Sequence, residues 1–198
     1  MLKSDIELFP NRNNWCSLLK QLLCTLGLYH VWLAQYVGNE DVFLFLVKQR
    51  LNDHFVQNWN SRLDESSRAK FYRQISSFKF QPYLDNINML KFCQALTKLR
   101  VSSHRLAVEA GRWNIPVRTP YDDRKCIFCN LLEDEYHFVL ECPIYVDLRK
   151  KYISKYYWNH PSMFKFINLI NNTNVNIVKK LGMYVFHAFE LRSERLQA

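Results

Sequence analysis

Three cysteines and one histidine lie close together in the stretch 126–143. Cys126, Cys129, His137 and Cys142 have the spacing Cys-x2-Cys-x7-His-x4-Cys. Thiolates and an imidazole are the ligands that a structural Zn²⁺ ion takes in a closed tetrahedral site. Such soft and borderline ligands favour zinc over calcium or magnesium. The spacing therefore predicts a structural Zn(II) cofactor with no open coordination position.

The residues between the ligands indicate how the four side chains would converge. Asn130 follows the Cys-x2-Cys turn and tolerates the left-handed backbone that such turns often need. The acidic residues 133–135 suit the first turn of a short helix, from which His137 would project. Pro143 disfavours helical geometry at Cys142, so the helix should end there. The thiol of Cys142 could then turn back to the metal.

The other three cysteines and the start of the chain bear on the cellular compartment. Cys16, Cys24 and Cys93 fall in apolar helical patterns and are predicted to be buried free thiols. The first residues are charged and lack the apolar centre of a signal peptide, so a disulfide framework is not expected. We expect an intracellular location, with the nucleus a candidate that the sequence does not single out.

Apolar residues recur at helical spacing over most of the chain, which predicts a mainly α fold. Hydrophobic residues make up 48% of the sequence and aromatic residues 15%, enough for a substantial core. The predicted architecture is a helical bundle with a small Cys-Cys-His-Cys zinc knuckle inserted between helices. We expect an N-terminal helical region (1–95), a zinc-binding domain with basic flanks (96–158) and C-terminal helices (159–198) that pack on the rest.

One helical pattern, from about Val42 to Leu63, places Leu51, Phe55 and Trp59 at four-residue intervals. We interpret this stripe as a core face, and the alternative is a groove for a partner. A membrane span needs about 20 predominantly apolar residues. No stretch of the sequence meets that requirement, so we expect no membrane association.

The net charge of +9 is unevenly distributed along the chain. Residues 131–143 carry −4, whereas 91–130 carry +5 and 144–198 carry +6. Basic segments on both sides of the metal motif suit phosphate contacts, which predicts RNA or DNA as the partner. The candidate nucleic-acid-binding residues are Arg100, Arg105, Arg112, Arg124, Lys125, Arg149, Lys150 and Lys151. The alternative is ordinary surface charge, with some of these residues paired to Glu109.

The segment from Leu96 to Lys151 resembles the zinc-binding region at the C-terminal end of non-LTR (LINE-type) retrotransposon reverse transcriptases. The matching stretches are Leu-Arg-Val-Ser-Ser-His-Arg-Leu at 99–106, Cys-x2-Cys at 126–129, Glu-Asp-Glu-Tyr-His at 133–137 and Leu-Glu-Cys-Pro-x-Tyr at 140–145. The resemblance implies an accessory module that binds nucleic acid and follows a reverse transcriptase domain in a longer polyprotein. It also implies the metal ligands Cys126, Cys129, His137 and Cys142.

The sequence does not indicate an enzyme. Tyr121-Asp122-Asp123 differs from the polymerase motif, in which one residue separates the aromatic residue from the two aspartates. Metal-dependent nucleotidyl transfer needs converging carboxylates and two metal ions, and no third carboxylate is evident. Two hypotheses remain open: a zinc-stabilised nucleic-acid-binding module, or a structural or protein-interaction module whose basic charge is incidental. The aromatic-rich helices and the acidic run 133–135 motivate the second hypothesis.

Overall fold

The computed structural model describes residues 14–197, and within them the fold is mainly α, as predicted. The chain divides into two compact units, with the boundary between Arg62 and Leu63. This division differs from the expected one near residue 95, because helices on both sides of residue 95 share one core. No helix in the described part of the chain is long and apolar enough to cross a membrane.

The first unit contains helices α1 (Trp15–Thr25) and α2 (Tyr29–Ala34) and most of α3 (Glu40–Glu65). The side chain of Asn14 accepts a hydrogen bond from the Ser17 amide and caps α1. A small core joins α1 to α2, and its buried members are Cys16, Leu23, Leu26, Leu28 and Trp32.

The apolar stripe predicted as the core face of α3 is not buried. Leu51 is 42% exposed and Phe55 is 57% exposed, and no residue of α3 is fully buried. The prediction of a core face is therefore wrong for Leu51 and Phe55. At 100° per residue, Val42 lies on the opposite side of the helix from Leu51, and it is also exposed. The part of α3 that packs against the small core is Phe43, Leu46 and Val47, which are half-buried.

The second unit is built from many short helices and one long one. In chain order the elements are a 3-10 turn (Ser67–Ala69), α4 (Lys70–Ile75), α5 (Tyr83–Asn86), α6 (Leu90–Arg100), α7 (Ala107–Ala110), a 3-10 turn (Tyr121–Asp123), a π-helical turn (His137–Glu141), a 3-10 turn (Pro143–Tyr145), α8 (Val146–Tyr152), α9 (Lys155–Trp158), α10 (Met163–Ile170) and α11 (Val175–Gln197). One isolated antiparallel bridge between Lys125 and Leu132 lies before the π-helical turn.

The long helix α11 packs against α6 and α8 and forms the centre of the second unit. Its residue Gly182 allows a close approach, because a Cβ there would lie 3.2 Å from the carbonyl oxygen of Phe92. One buried cluster runs from Ile75 to Ala188 and includes two of the predicted metal ligands. The predicted metal motif is therefore built into the main core of this unit.

Candidate metal centre and its basic surroundings

The four predicted ligands converge, because one ligand atom from each lies within 4.8 Å of the others. The sulfurs of Cys126 and Cys142 are 3.8 Å apart, and the Cys129 sulfur is 3.1 Å from Nε2 of His137. Two sulfurs bound to one tetrahedral zinc at about 2.3 Å would be separated by about 3.8 Å. The predicted convergence is confirmed, and this group could hold a metal ion.

The surroundings of His137 fit a metal bound through Nε2. Its other ring nitrogen, Nδ1, is buried without a hydrogen bond and lies 3.6 Å from Oε2 of Glu141. Metal-bound imidazoles usually donate their second N–H to a carboxylate, a carbonyl or water. Glu141 is therefore placed to orient the ring of His137 when a metal is bound.

Burial also affects the protonation of two of the cysteine sulfurs. Burial raises the pKa of Cys126 and raises the pKa of Cys142 to about 12. Burial therefore favours the neutral thiol at both positions. Metal binding requires thiolates, so a bound ion would displace these protons.

A short hairpin positions the first two cysteines. Asn130 has a φ of 59°, the left-handed backbone that its residue type suggested. Its amide donates to the carbonyl oxygen of Cys126 (2.8 Å), and the Cys126 amide donates to the carbonyl oxygen of Leu131 (2.6 Å). The amides of Phe128 and Cys129 donate to the sulfur of Cys126 and favour its thiolate.

A tight helical segment positions the other two ligands. The Asp134 carboxylate accepts a hydrogen bond of 2.8 Å from the His137 amide and caps the segment. At its other end, the Cys142 amide donates to the carbonyl oxygen of His137 (2.8 Å), a five-residue separation that gives the π-helical turn. Cys142 itself is extended, with a ψ of 122°, as the following Pro143 predicts.

Glu133 is a buried residue that ties the metal motif to two other elements. Its carboxylate accepts two hydrogen bonds of 2.8 Å from Arg192 in α11. It also accepts a hydrogen bond of 2.6 Å from the amide of Ala107, at the start of α7.

Glu135 is also buried, and it joins two of the four stretches on which the expected resemblance depends, 99–106 and 133–137. It accepts hydrogen bonds from Oγ of Ser102 (2.8 Å) and Nε2 of His104 (3.0 Å). Burial opposes its charge, but these two partners lower the pKa of Glu135 below its usual value. The acidic run that motivated the protein-interaction hypothesis is largely internal.

Three of the eight predicted nucleic-acid-binding residues are buried arginines. Their guanidinium groups donate to backbone carbonyl oxygens, from Arg100 to Ile170 (2.6 Å), from Arg124 to Val108 (2.6 Å) and from Arg149 to Cys142 (2.5 Å). Buried donors of this kind are costly to leave unpaired. These three arginines stabilise the fold and do not present their charge to a phosphate.

The other five predicted residues are more accessible. Arg112 is half-buried and donates to Glu109 and Ser67. The remaining four, Arg105, Lys125, Lys150 and Lys151, are exposed. The structure adds Lys180 of α11, which lines the same small cavity as Lys150 and Lys151. Because Lys180 is far from Lys150 and Lys151 along the chain, the sequence gave no indication that these three lysines lie together.

The thiols outside the motif only partly match the prediction. Cys16 is buried, but Cys93 is half-buried and Cys24 is exposed. Cys24 therefore corrects the expectation of a core thiol, because it lies on the side of α1 that faces away from the small core.

Comparison with known proteins identified no relative. No protein-family model matches the chain, and no curated protein or solved structure matches it significantly. The case for a metal centre rests on the geometry and burial of the four ligands themselves.

Proposed function

We propose that this chain is a zinc-stabilised nucleic-acid-binding accessory module of a retroelement polyprotein, acting beside a reverse transcriptase domain. The observation that carries the proposal is the convergence of Cys126, Cys129, His137 and Cys142 on one point, in a stretch with the spacing of the resembled family. Two other stretches of that resemblance, 99–106 and 133–137, meet at Glu135.

Zinc is the metal that suits this ligand set best. Three thiolates and one imidazole fill a tetrahedral shell and leave no position for substrate, so the role is structural. Zinc sites of this kind contribute on the order of 10 kcal/mol of apparent binding free energy, which is coupled to folding.

The positive charge that remains accessible on the protein surface suits a nucleic-acid partner. Glu133 is buried against the guanidinium of Arg192, and Glu135 is buried and hydrogen-bonded to His104, so these two carboxylates are withdrawn from the surface. Arg105, Lys125, Lys150 and Lys151 are exposed, and the chain carries a net charge of +9. A basic surface of this kind attracts phosphates.

We propose no catalytic role. Within residues 14–197, the cluster of Cys, His, Asp or Glu side chains that could hold a metal is the Cys126 group, in which a bound ion would have no open position. Asp122 and Asp123 lie in an exposed 3-10 turn.

The metal is tested by the zinc content of the purified protein and of a Cys129→Ser variant. We expect one zinc per wild-type chain, and loss of zinc with loss of helical structure in Cys129→Ser. Cys24→Ser is the matched control, because Cys24 is exposed and lies outside the motif. Wild-type protein that folds without zinc would contradict the proposal.

Nucleic-acid binding is tested by titrating labelled single-stranded RNA and DNA at about 50 mM and about 200 mM salt. We expect affinity to fall steeply with salt, because each phosphate contact releases counterions.

A second candidate, a protein-interaction module, is favoured by exposed apolar residues on α3 such as Val42 and Phe45. Binding to RNA and DNA that is absent, or unchanged by salt, would favour this candidate.

A further inference from the structure

Three lysines from two helices line one small cavity of about 210 Å³. Lys150 and Lys151 come from α8, and Lys180 comes from α11. Among the described residues, no aspartate or glutamate lines this cavity. The cavity therefore concentrates positive charge that its own walls do not neutralise.

The walls of this cavity are well packed because they belong to the core of the second unit. Its lining includes Ile153, Leu169 and Leu181, which are all buried. Tyr152 also lines the cavity, and its ring is stacked on His187 with ring centroids 5.8 Å apart. The lysines thus stand on a surface that is already ordered before a ligand binds.

Few carboxylates of the protein pair with the ammonium groups of these lysines. Lys150 lies 3.8 Å from the carboxylate of Asp147, whose side chain is 93% exposed, so this ion pair is weak. In the described part of the chain, neither Lys151 nor Lys180 has a carboxylate within 4.0 Å. The Lys151 ammonium lies 5.0 Å above the ring centre of Tyr152, which holds it near the cavity.

We propose that Lys150, Lys151 and Lys180 form a binding pocket for phosphates of a nucleic-acid backbone. This inference rests on the proposed function and identifies the surface that performs it. The ammonium groups supply the charge for adjacent phosphates of a single strand.

The pocket is also connected to the metal centre. Arg149 directly precedes Lys150, and its guanidinium donates to the carbonyl oxygens of Glu141 and Cys142. The same turn of α8 thus contacts a ligand loop on one side and presents lysines on the other. The metal would set the position of the pocket although it does not touch the nucleic acid.

The test compares two triple variants of the full chain that lose the same charge. One is Lys150→Gln, Lys151→Gln and Lys180→Gln. The control is Lys48→Gln, Lys79→Gln and Lys98→Gln, three exposed lysines outside the cavity. Binding of a labelled single-stranded RNA is measured by fluorescence anisotropy over a salt series, and zinc content and circular dichroism verify the fold.

We expect the pocket variant to bind RNA at least tenfold more weakly than wild type and the control variant less than threefold more weakly. The slope of log affinity against log salt should fall by about 2 in the pocket variant, because each lost contact on a single strand removes about 0.7. If the pocket variant fails to retain zinc, Lys180→Glu alone replaces it and should still weaken binding more than Lys79→Glu.

Each outcome separates this inference from the proposed function. Equal losses in the two triple variants, with salt-dependent binding by the wild type, would overturn the pocket and leave the function standing. Absence of wild-type binding to both single-stranded RNA and single-stranded DNA would overturn both. Wild-type binding to anionic phospholipid vesicles in place of RNA, lost in the pocket variant, would identify a lipid headgroup site and overturn the nucleic-acid assignment.

Discussion

Glu133 and Arg192 are joined by two hydrogen bonds of 2.8 Å, although 59 residues separate them in the sequence. Both residues are buried. Burial opposes the charge of Arg192, but the hydrogen bonds and charge of Glu133 raise the pKa of the guanidinium. The pair connects the C-terminal part of α11 to the hairpin of the metal centre.

Replacing Arg192 should therefore lower the stability of the fold. In Arg192→Gln, the carboxylate of Glu133 would stay buried without its charged partner, which we expect to lower the free energy of unfolding by about 3–5 kcal/mol. Urea denaturation of the zinc-loaded protein would measure the loss. The control Arg195→Gln alters an exposed residue of the same helix and should change stability by about 0.5 kcal/mol or less. Similar losses in both variants would refute a specific role for the pair.

Glu141 should tune metal affinity without binding the metal. We expect Glu141→Ala to weaken zinc binding by about 10- to 100-fold, because the ring of His137 loses its outer carboxylate. A competitive titration with a zinc chelator would measure the change. Glu190→Ala is the control, because Glu190 also pairs with a histidine, His187, that is not among the proposed ligands. An unchanged zinc affinity in Glu141→Ala would show that Glu141 does not orient His137.

Tyr184 should make the second unit sensitive to alkali. It is fully buried, its hydroxyl donates to the carbonyl oxygen of Phe138 (2.8 Å), and burial raises its pKa well above 10.0. Above about pH 10 the unfolded chain releases this proton while the folded protein keeps it. Stability should therefore fall as pH rises, by up to about 1.4 kcal/mol per pH unit for this group.

The variant Tyr184→Phe removes that contribution. We expect it to be less stable at pH 7 by about 1–3 kcal/mol, because the buried carbonyl group of Phe138 loses its donor. Between pH 10 and pH 11, its stability should fall less steeply than that of the wild type. Urea unfolding at several pH values would measure both effects, with the exposed Tyr36→Phe as control. If the stability of Tyr184→Phe fell with pH as steeply as that of the wild type, Tyr184 would not be the source of the alkaline sensitivity.

The metal motif was predictable because its geometry is mainly local. A Cys-x2-Cys turn, Asn130 after it and Pro143 at its end restrict the backbone over a few residues, and the structure has the expected conformations at these positions. The helical character of the chain was also evident from its apolar periodicity. These features depend on neighbours along the sequence, which pattern analysis can read.

The accessibility of the arginines was not predictable in the same way. Arg100 is buried because it bonds to the carbonyl of Ile170, 70 residues further along the chain. Lys180 joins Lys150 and Lys151 only because α11 packs beside α8. The exposure of Phe55 likewise depends on which surfaces α3 meets, and its four-residue spacing carries no such information.

The position of the metal ligands inside the main core has a consequence for the whole second unit. Cys126 and Cys142 share one buried cluster with Leu99 and Val185, so residues 126–142 are not a separable finger that could fold as an isolated peptide. With zinc as the proposed metal, each tenfold rise in free zinc above its dissociation constant would add about 1.4 kcal/mol to the stability of the whole bundle. The supply of metal would then govern how long the module survives in the cell.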